Sequence, residues 1–101
     1  MNEYKKIVEA KLDRRTLYEQ LAEECSELAQ AALKCIRAEQ LSNNVTPTPV
    51  CEAHANLFDE IVDVLIVLNC LGIKASTSDI NNSPKWKRWA ERLENENTKT
   101  N

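Results

Sequence analysis

Phe58-Asp-Glu-Ile-Val-Asp-Val-Leu-Ile-Val67, or FDEIVDVLIV, decides the fold class of this chain. From Ile61 to Leu68 every residue is apolar except Asp63. Periodicity alone leaves such a run open between a buried strand and a buried helix, and length arbitrates. Roughly 18 residues from Ala53 onward contain no breaker, which predicts a helix ending near Leu71 with Gly72 as its C-cap. A helix this apolar is expected to be buried on most sides. An uncompensated carboxylate there costs several kcal/mol, so Asp63 calls for a cation. Glu60 lies three residues before Asp63 on the same face. A second pair, Glu24-x-x-Glu27 in LAEECSELAQ, repeats the spacing.

The rest of the chain supports a helical reading. It has 101 residues, one glycine and three prolines, too few turn formers for a β-rich fold. One domain of this size buries roughly two-thirds of its unfolded surface, a modest core that makes oligomerisation a reasonable expectation. The net charge of −3 does not suggest a nucleic-acid binder. No apolar run approaches the ~20 residues of a membrane span, and MNEYKKIVEAKLDRR lacks the apolar core of a signal peptide, so a cytoplasmic protein is expected. Cys25, Cys35, Cys51 and Cys70 form no C-x-x-C pair, and His54 is the single histidine. Buried free thiols, rather than a zinc site with closely paired ligands, are the expectation.

A short amphipathic helix is predicted over 2–12, with Asp13 able to cap a new one or the helix continuing. From Arg14 to about Leu41 nothing breaks the helix. Leu21, Cys25, Leu28, Ala32 and Cys35 recur at spacings of four and three, giving an apolar stripe with Gln20, Glu24, Glu27 and Ala31 along its edge. LSNNVTPTPV, residues 41–50, reads as a loop, and the third helix starts near Cys51 or Ala53. Asp79 to Asn82 is too short to assign. Ser83-Pro84 opens a last helix that should reach Glu94, followed by a polar tail, 95–101.

If the second and third helices pack antiparallel, Glu24, Glu27, Glu60 and Asp63 converge in one carboxylate cluster. Hard oxygen ligands suit Mg²⁺, with Mn²⁺ as a substitute, and disfavour zinc. Di-iron bundles need Glu-x-x-His on two helices, which this chain lacks. Carboxylate-held Mg²⁺ is usual equipment for phosphoryl transfer to water. Taken alone, Glu24-x-x-Glu27 also reads as an ordinary solvated pair; Asp63 in its apolar run does not.

On these residues the chain resembles the all-α nucleoside triphosphate pyrophosphohydrolases, the MazG-like group. Their hallmark is E-E-x-x-E followed by E-x-x-D on separate helices. Here it is Glu23-Glu24-Cys25-Ser26-Glu27, with Gln20 just ahead, and Glu60-Ile61-Val62-Asp63. The downstream Lys85-x-x-Arg88-x-x-x-Arg92 looks like the basic C-terminal helix of many short members, so the resemblance spans residues 14–93. It implies an all-α, four-helix-type bundle over residues 1–94, assembled as a homodimer or homotetramer. It implies cleavage of a nucleoside triphosphate between the α and β phosphates, giving monophosphate and pyrophosphate. Glu24, Glu27, Glu60 and Asp63 would be the metal ligands. Glu23, or an unliganded oxygen of the cluster, would orient the attacking water. Lys85, Arg88 and Arg92 would neutralise triphosphate charge across a subunit boundary. Two features depart from the family pattern: the Thr46-Pro-Thr-Pro49 segment lengthens the stretch between the motifs, and Asp13-Arg14 stands where a glycine is frequent.

Other residues carry weaker expectations. The basic face Lys85, Lys87, Arg88 and Arg92 alone reads as a solvated helix surface. Trp86 and Trp89 share a face suited to packing on the bundle or a partner, or to stacking on a base. Asn69 is a weak candidate for base recognition, and His54 has no assigned role. The alternatives to the pyrophosphohydrolase are an all-α dUTPase type and a catalytically idle helical oligomer that binds nucleotide or protein.

Overall fold

A computed structural model describes residues 2–43 and 48–100 of the chain, and side chains as far as residue 96. Among them are five helices and no strand: α1 (Glu3–Lys11), α2 (Arg14–Ala38), α3 (Val50–Cys70), α4 (Thr77–Asn81) and α5 (Lys85–Thr100). Residues 44–47 of the expected loop lie outside the described residues. No helix among those described is long and apolar enough to cross a membrane.

Local chemistry sets each boundary. Asn2 caps α1, its side chain accepting from the Tyr4 and Lys5 amides. Asp13 starts α2 afresh by accepting from the Thr16 amide at 2.8 Å. That helix ends at Ala38, short of Leu41, because Gln40 turns into the left-handed region at φ 60°. The Leu41 amide then reaches back to the Ile36 carbonyl at 2.9 Å, closing a Schellman cap on glutamine instead of glycine. Gly72, φ 75°, does the same for α3, with the Ile73 amide on the Leu68 carbonyl at 2.9 Å. α4 is held by a capping box in which Ser76 and Asp79 bond each other's backbone amides at 3.1 and 2.8 Å. The Ser-x-x-Asp pattern is thus what orders a segment too short to assign from periodicity. Ser83 accepts from the Lys85 amide at 3.2 Å at the start of α5. This helix runs through the expected polar tail to Thr100, since no glycine or proline follows Pro84 to stop it.

Among the described residues the one extensive helix–helix packing is between α2 and α3, an antiparallel hairpin. On α2 the inward residues are Leu17, Leu21, Glu24, Leu28, Ala31, Cys35 and Ala38; on α3 they are Ala53, Leu57, Glu60, Val64, Val67 and Leu71. Both sets step by four and three, the spacing of a coiled-coil seam. One apolar cluster joins Leu17, Val67 and Leu71, with Leu21 and Cys70 against it; another joins Cys35, Ala38 and Ala53, with Leu57. Arg14 ties the first end together, donating to the Leu71 carbonyl at 3.5 Å and to the Tyr18 hydroxyl at 2.8 Å. The inward stripe of α2 is therefore rotated from the one expected: Cys25 and Ala32 face solvent, while Glu24 and Ala31 turn inward. Of the four free thiols, Cys35 alone is buried; Cys70 is half-buried, and Cys25 and Cys51 are exposed.

The α3 surface also differs from expectation. Val67 is buried, but Ile61, Leu65 and Ile66 are exposed, because among the described residues α3 packs extensively on α2 alone. The Cα radius of gyration is 18.1 Å, against ~13 Å for a compact domain of this length. The chain is all-helical, but its helices do not close into a four-helix bundle on their own.

Candidate metal centre

Between the two apolar clusters of the hairpin lies an acidic layer. The heptad register that buries Leu17, Ala31 and Cys35 necessarily turns Glu24 inward from α2, and that of Leu57 and Val67 does the same for Glu60 from α3. Asp63 follows one turn after Glu60, half-buried beside it. Glu24, Glu60 and Asp63 each offer a carboxylate oxygen, and these atoms all lie within 4.8 Å of one another. Octahedral Mg²⁺ with bonds of about 2.05 Å places ligand oxygens roughly 2.9 Å apart in cis and 4.1 Å in trans, so small side-chain adjustments close the site.

The hydrogen bonding is one-sided. Gln20 Nε2 donates to Glu24 Oε1 at 2.8 Å, fixing that carboxylate in the seam. Glu24 Oε2 and Glu60 Oε2 are shielded from solvent and accept no hydrogen bond. Buried carboxylate oxygens without donors are costly, and here two face each other from different helices. The donor set fits a hard divalent cation and carries no histidine or thiol to favour a softer one.

Glu27 is placed differently from expectation. It is exposed at the mouth of the cluster and is not among the converging oxygens. The charge of Glu24 raises its pKa above the ordinary carboxylate value, with desolvation, Glu60, a hydrogen bond shared with Glu24 and finally Glu23 adding in that order. Glu23 is exposed, and its charge is the last of these contributions to Glu27. The sign for stability follows. Between the ordinary carboxylate value and the raised one, the folded chain holds a proton that the unfolded chain has lost. In EDTA, urea-unfolding stability should therefore fall as pH rises through that window. Glu27→Gln should flatten this part of the profile, and an unchanged slope would disconnect Glu27 from the cluster.

Two cavities flank the carboxylates. One of about 280 Å³ has an apolar wall, including Val8 and Leu12 of α1 with Ile66 and Val67 of α3, and a polar edge of Gln20, Glu24 and Asp63. The other, about 260 Å³, sets Glu27 and Glu60 beside Lys34, Arg37 and Asn56. Lys34 and Arg37 were not singled out from the sequence, although they follow Glu27 by two and three helical turns on one side of α2.

Lys85, Arg88 and Arg92 do come together, around Trp89 in a cleft of about 300 Å³ on α5. No carboxylate of the cluster lines that cleft, and α5 makes no extensive contact with α2 or α3. Trp86 and Trp89 stack with ring centroids 6.4 Å apart, and Trp86 Nε1 donates to the Ile80 carbonyl at 2.7 Å, locking α5 to α4. Asn69 lies with Tyr4, Val62, Leu65 and Ile66 around a mainly apolar cavity of about 390 Å³.

In comparisons with known proteins, no family model, no curated protein and no solved structure matches this chain. The likeness to the MazG-like group accordingly rests on the two acidic motifs and the basic helix alone.

The Gln20 contact yields a direct test. Gln20→Ala leaves Glu24 without its positioning donor and should weaken Mg²⁺ binding by about 10- to 100-fold, the range typical of outer-shell partners. Titration calorimetry with MgCl₂ checks this; an unchanged affinity would mean that Glu24 is not a ligand.

Proposed function

We propose that this chain is a Mg²⁺-dependent nucleoside triphosphate pyrophosphohydrolase, converting an NTP or dNTP to the monophosphate and pyrophosphate. The observation that carries the proposal is the convergence of Glu24, Glu60 and Asp63 with two buried oxygens that have no donor. Such a layer weakens the seam that forms the core of the hairpin, and it is the donor set that Mg²⁺, or Mn²⁺ in its place, prefers. Bound there, the cation would neutralise phosphate charge and acidify water.

The protein's own residues divide the remaining work. Glu24, Glu60 and Asp63 hold the ion, Gln20 orients Glu24, and Glu27 completes the set from the mouth. The apolar cavity walled by Val8, Leu12, Ile66 and Val67 takes the nucleoside. Lys34 and Arg37, on the opposite side of the acids, receive the β and γ phosphates. A water oxygen attacks the α-phosphorus as the bond to the bridging α–β oxygen breaks, and pyrophosphate leaves. A Glu27 carboxylate oxygen accepts the proton of that water; it is exposed, adjacent and relatively basic for a carboxylate. Glu23, one turn earlier, supports it electrostatically.

The same reading includes assembly into a homodimer or homotetramer. Phe58, Ile61 and Leu65 form an apolar stripe on α3 that the described residues leave exposed, and α5, bonded to α4, stays clear of the hairpin. In such an assembly Lys85, Arg88 and Arg92 of one copy reach the triphosphate held by another. The exposed stripe also suits the second reading, a catalytically idle helical oligomer.

Pyrophosphate release from a panel of canonical and modified NTPs and dNTPs, with Mg²⁺ and with EDTA, tests the assignment. Metal-dependent release of pyrophosphate with monophosphate is expected, and a strict preference for dUTP would move the chain to the dUTPase type. Silence across the panel from folded, Mg²⁺-loaded protein would leave the idle oligomer.

A further inference from the structure

The loop end of the hairpin brings together three residues that no step above uses. Cys35 and Glu39 are one turn apart at the end of α2, and His54 comes from the start of α3. One ligand atom from each, Cys35 Sγ, a Glu39 oxygen and a His54 ring nitrogen, lies within 4.8 Å of the others. His54 Nε2 and Glu39 Oε2 are already 2.9 Å apart. Cys35 is 7% exposed, and its thiol donates to the Ala53 carbonyl, at 3.5 Å. The thiol forms a floor; the half-exposed carboxylate and imidazole form a rim open to solvent.

We propose that Cys35, Glu39 and His54 form a second metal site, one that takes Zn²⁺ rather than Mg²⁺ and ties the end of α2 to the start of α3. The ligand chemistry separates the two centres: a thiolate and an imidazole select a borderline-soft ion, whereas the all-carboxylate layer selects a hard one. The distances fit. Tetrahedral Zn²⁺ with bonds of about 2.05 Å to nitrogen and oxygen and 2.3 Å to sulfur separates its ligands by roughly 3.3–3.6 Å. Glu39 and His54 need to part by a few tenths of an ångström, and the thiol to draw in by at most about one. Both rim side chains are exposed enough to move. Glu39 also caps the negative end of the α2 dipole, where a carboxylate is unfavourable alone and a cation is welcome. Binding replaces the thiol proton with the metal, the proton passing to water, and the fourth position is left to a water molecule. The absence of paired cysteines, which argued against zinc in the sequence, does not bear on a site whose ligands come from two helices.

Co²⁺ is the probe, because thiolate ligation gives a charge-transfer band that carboxylates cannot produce. Metal-stripped full-length protein should bind one Co²⁺ per chain with that band, and Zn²⁺ should displace it stoichiometrically. His54→Ala, an exposed change that leaves the helices intact by circular dichroism, should abolish the band and weaken Zn²⁺ binding at least tenfold. Cys35→Ser should also remove it. Cys51→Ser and Asp63→Asn should retain it, the latter separating this site from the acidic layer. Co²⁺ binding without a thiolate band, or a band that survives His54→Ala, would overturn the proposal.

Discussion

Asp63→Asn is expected to abolish the proposed Mg²⁺-dependent pyrophosphate release while the protein stays folded. The amide keeps the shape of the carboxylate, so the packing of α3 on α2 is preserved. It removes one of three negative charges whose oxygens lie within 4.8 Å. The loss of turnover should be on the order of 10³-fold or more, beyond the 10- to 100-fold of an outer-shell change such as Gln20→Ala. The melting temperature in EDTA should hold or rise, since the variant relieves repulsion among carboxylates that stand partly out of water. The two measurements together are decisive. Lost turnover with a lowered melting temperature would signal a damaged fold instead of a missing ligand, and unchanged turnover would sink the metal centre.

The double variant Phe58→Ser/Leu65→Ser is expected to convert the proposed assembly to monomers. These side chains are 65% and 55% exposed in the chain, three residues on either side of Ile61–Val62 along one outward stripe of α3. Burying each stabilises an interface by roughly 1.5–3 kcal/mol, and a two-fold contact uses each twice. Because each side chain is already partly buried in the single chain, the change removes roughly 4–7 kcal/mol, about three to five decades in dissociation constant. Light scattering should show the multimer for the wild type and a single chain for the variant at micromolar concentration. A monomeric wild type would refute the assembly. Turnover should fall with dissociation if, as proposed, α5 of one copy serves the triphosphate held by another.

How much of this was legible beforehand varies by residue. Asp13, Gly72 and Ser83 announced helix boundaries, since capping is local chemistry that a few neighbours determine. The end of α2 was less readable because Gln40, not glycine, takes the left-handed turn. The acidic pairs were legible as pairs, but their depth was not. Reading the α2 stripe through Leu21, Cys25, Leu28, Ala32 and Cys35 satisfies the same four–three spacing as the true seam, and it avoids placing a glutamate inside. The structure takes the other register and puts Glu24 in the seam. A heptad count starting at Leu17 would have shown Glu24, and one starting at Ala53 would have shown Glu60, as acids in core positions. Glu27 looked equivalent to Glu24 because spacing cannot tell an inward helix position from the neighbouring one at the rim. The detachment of α5 was beyond reach: a basic helix gives no sign of which surface, or which chain, it packs on.

The bond from Trp86 Nε1 to the Ile80 carbonyl has a spectroscopic consequence. Both tryptophans of the chain lie on α5 and none on the hairpin, so tryptophan emission is a local reporter of the α4–α5 junction. Loss of helicity on heating is dominated by α2 and α3, the two longest helices. If the junction and the hairpin melt as separate units, the emission and circular-dichroism transitions will fail to coincide. A nucleotide bound through a cation at the hairpin alone should leave the emission unchanged. One that also draws in Lys85, stacked 5.3 Å over the Trp89 ring, shifts it, so a single fluorimeter trace tells whether the basic helix takes part in binding.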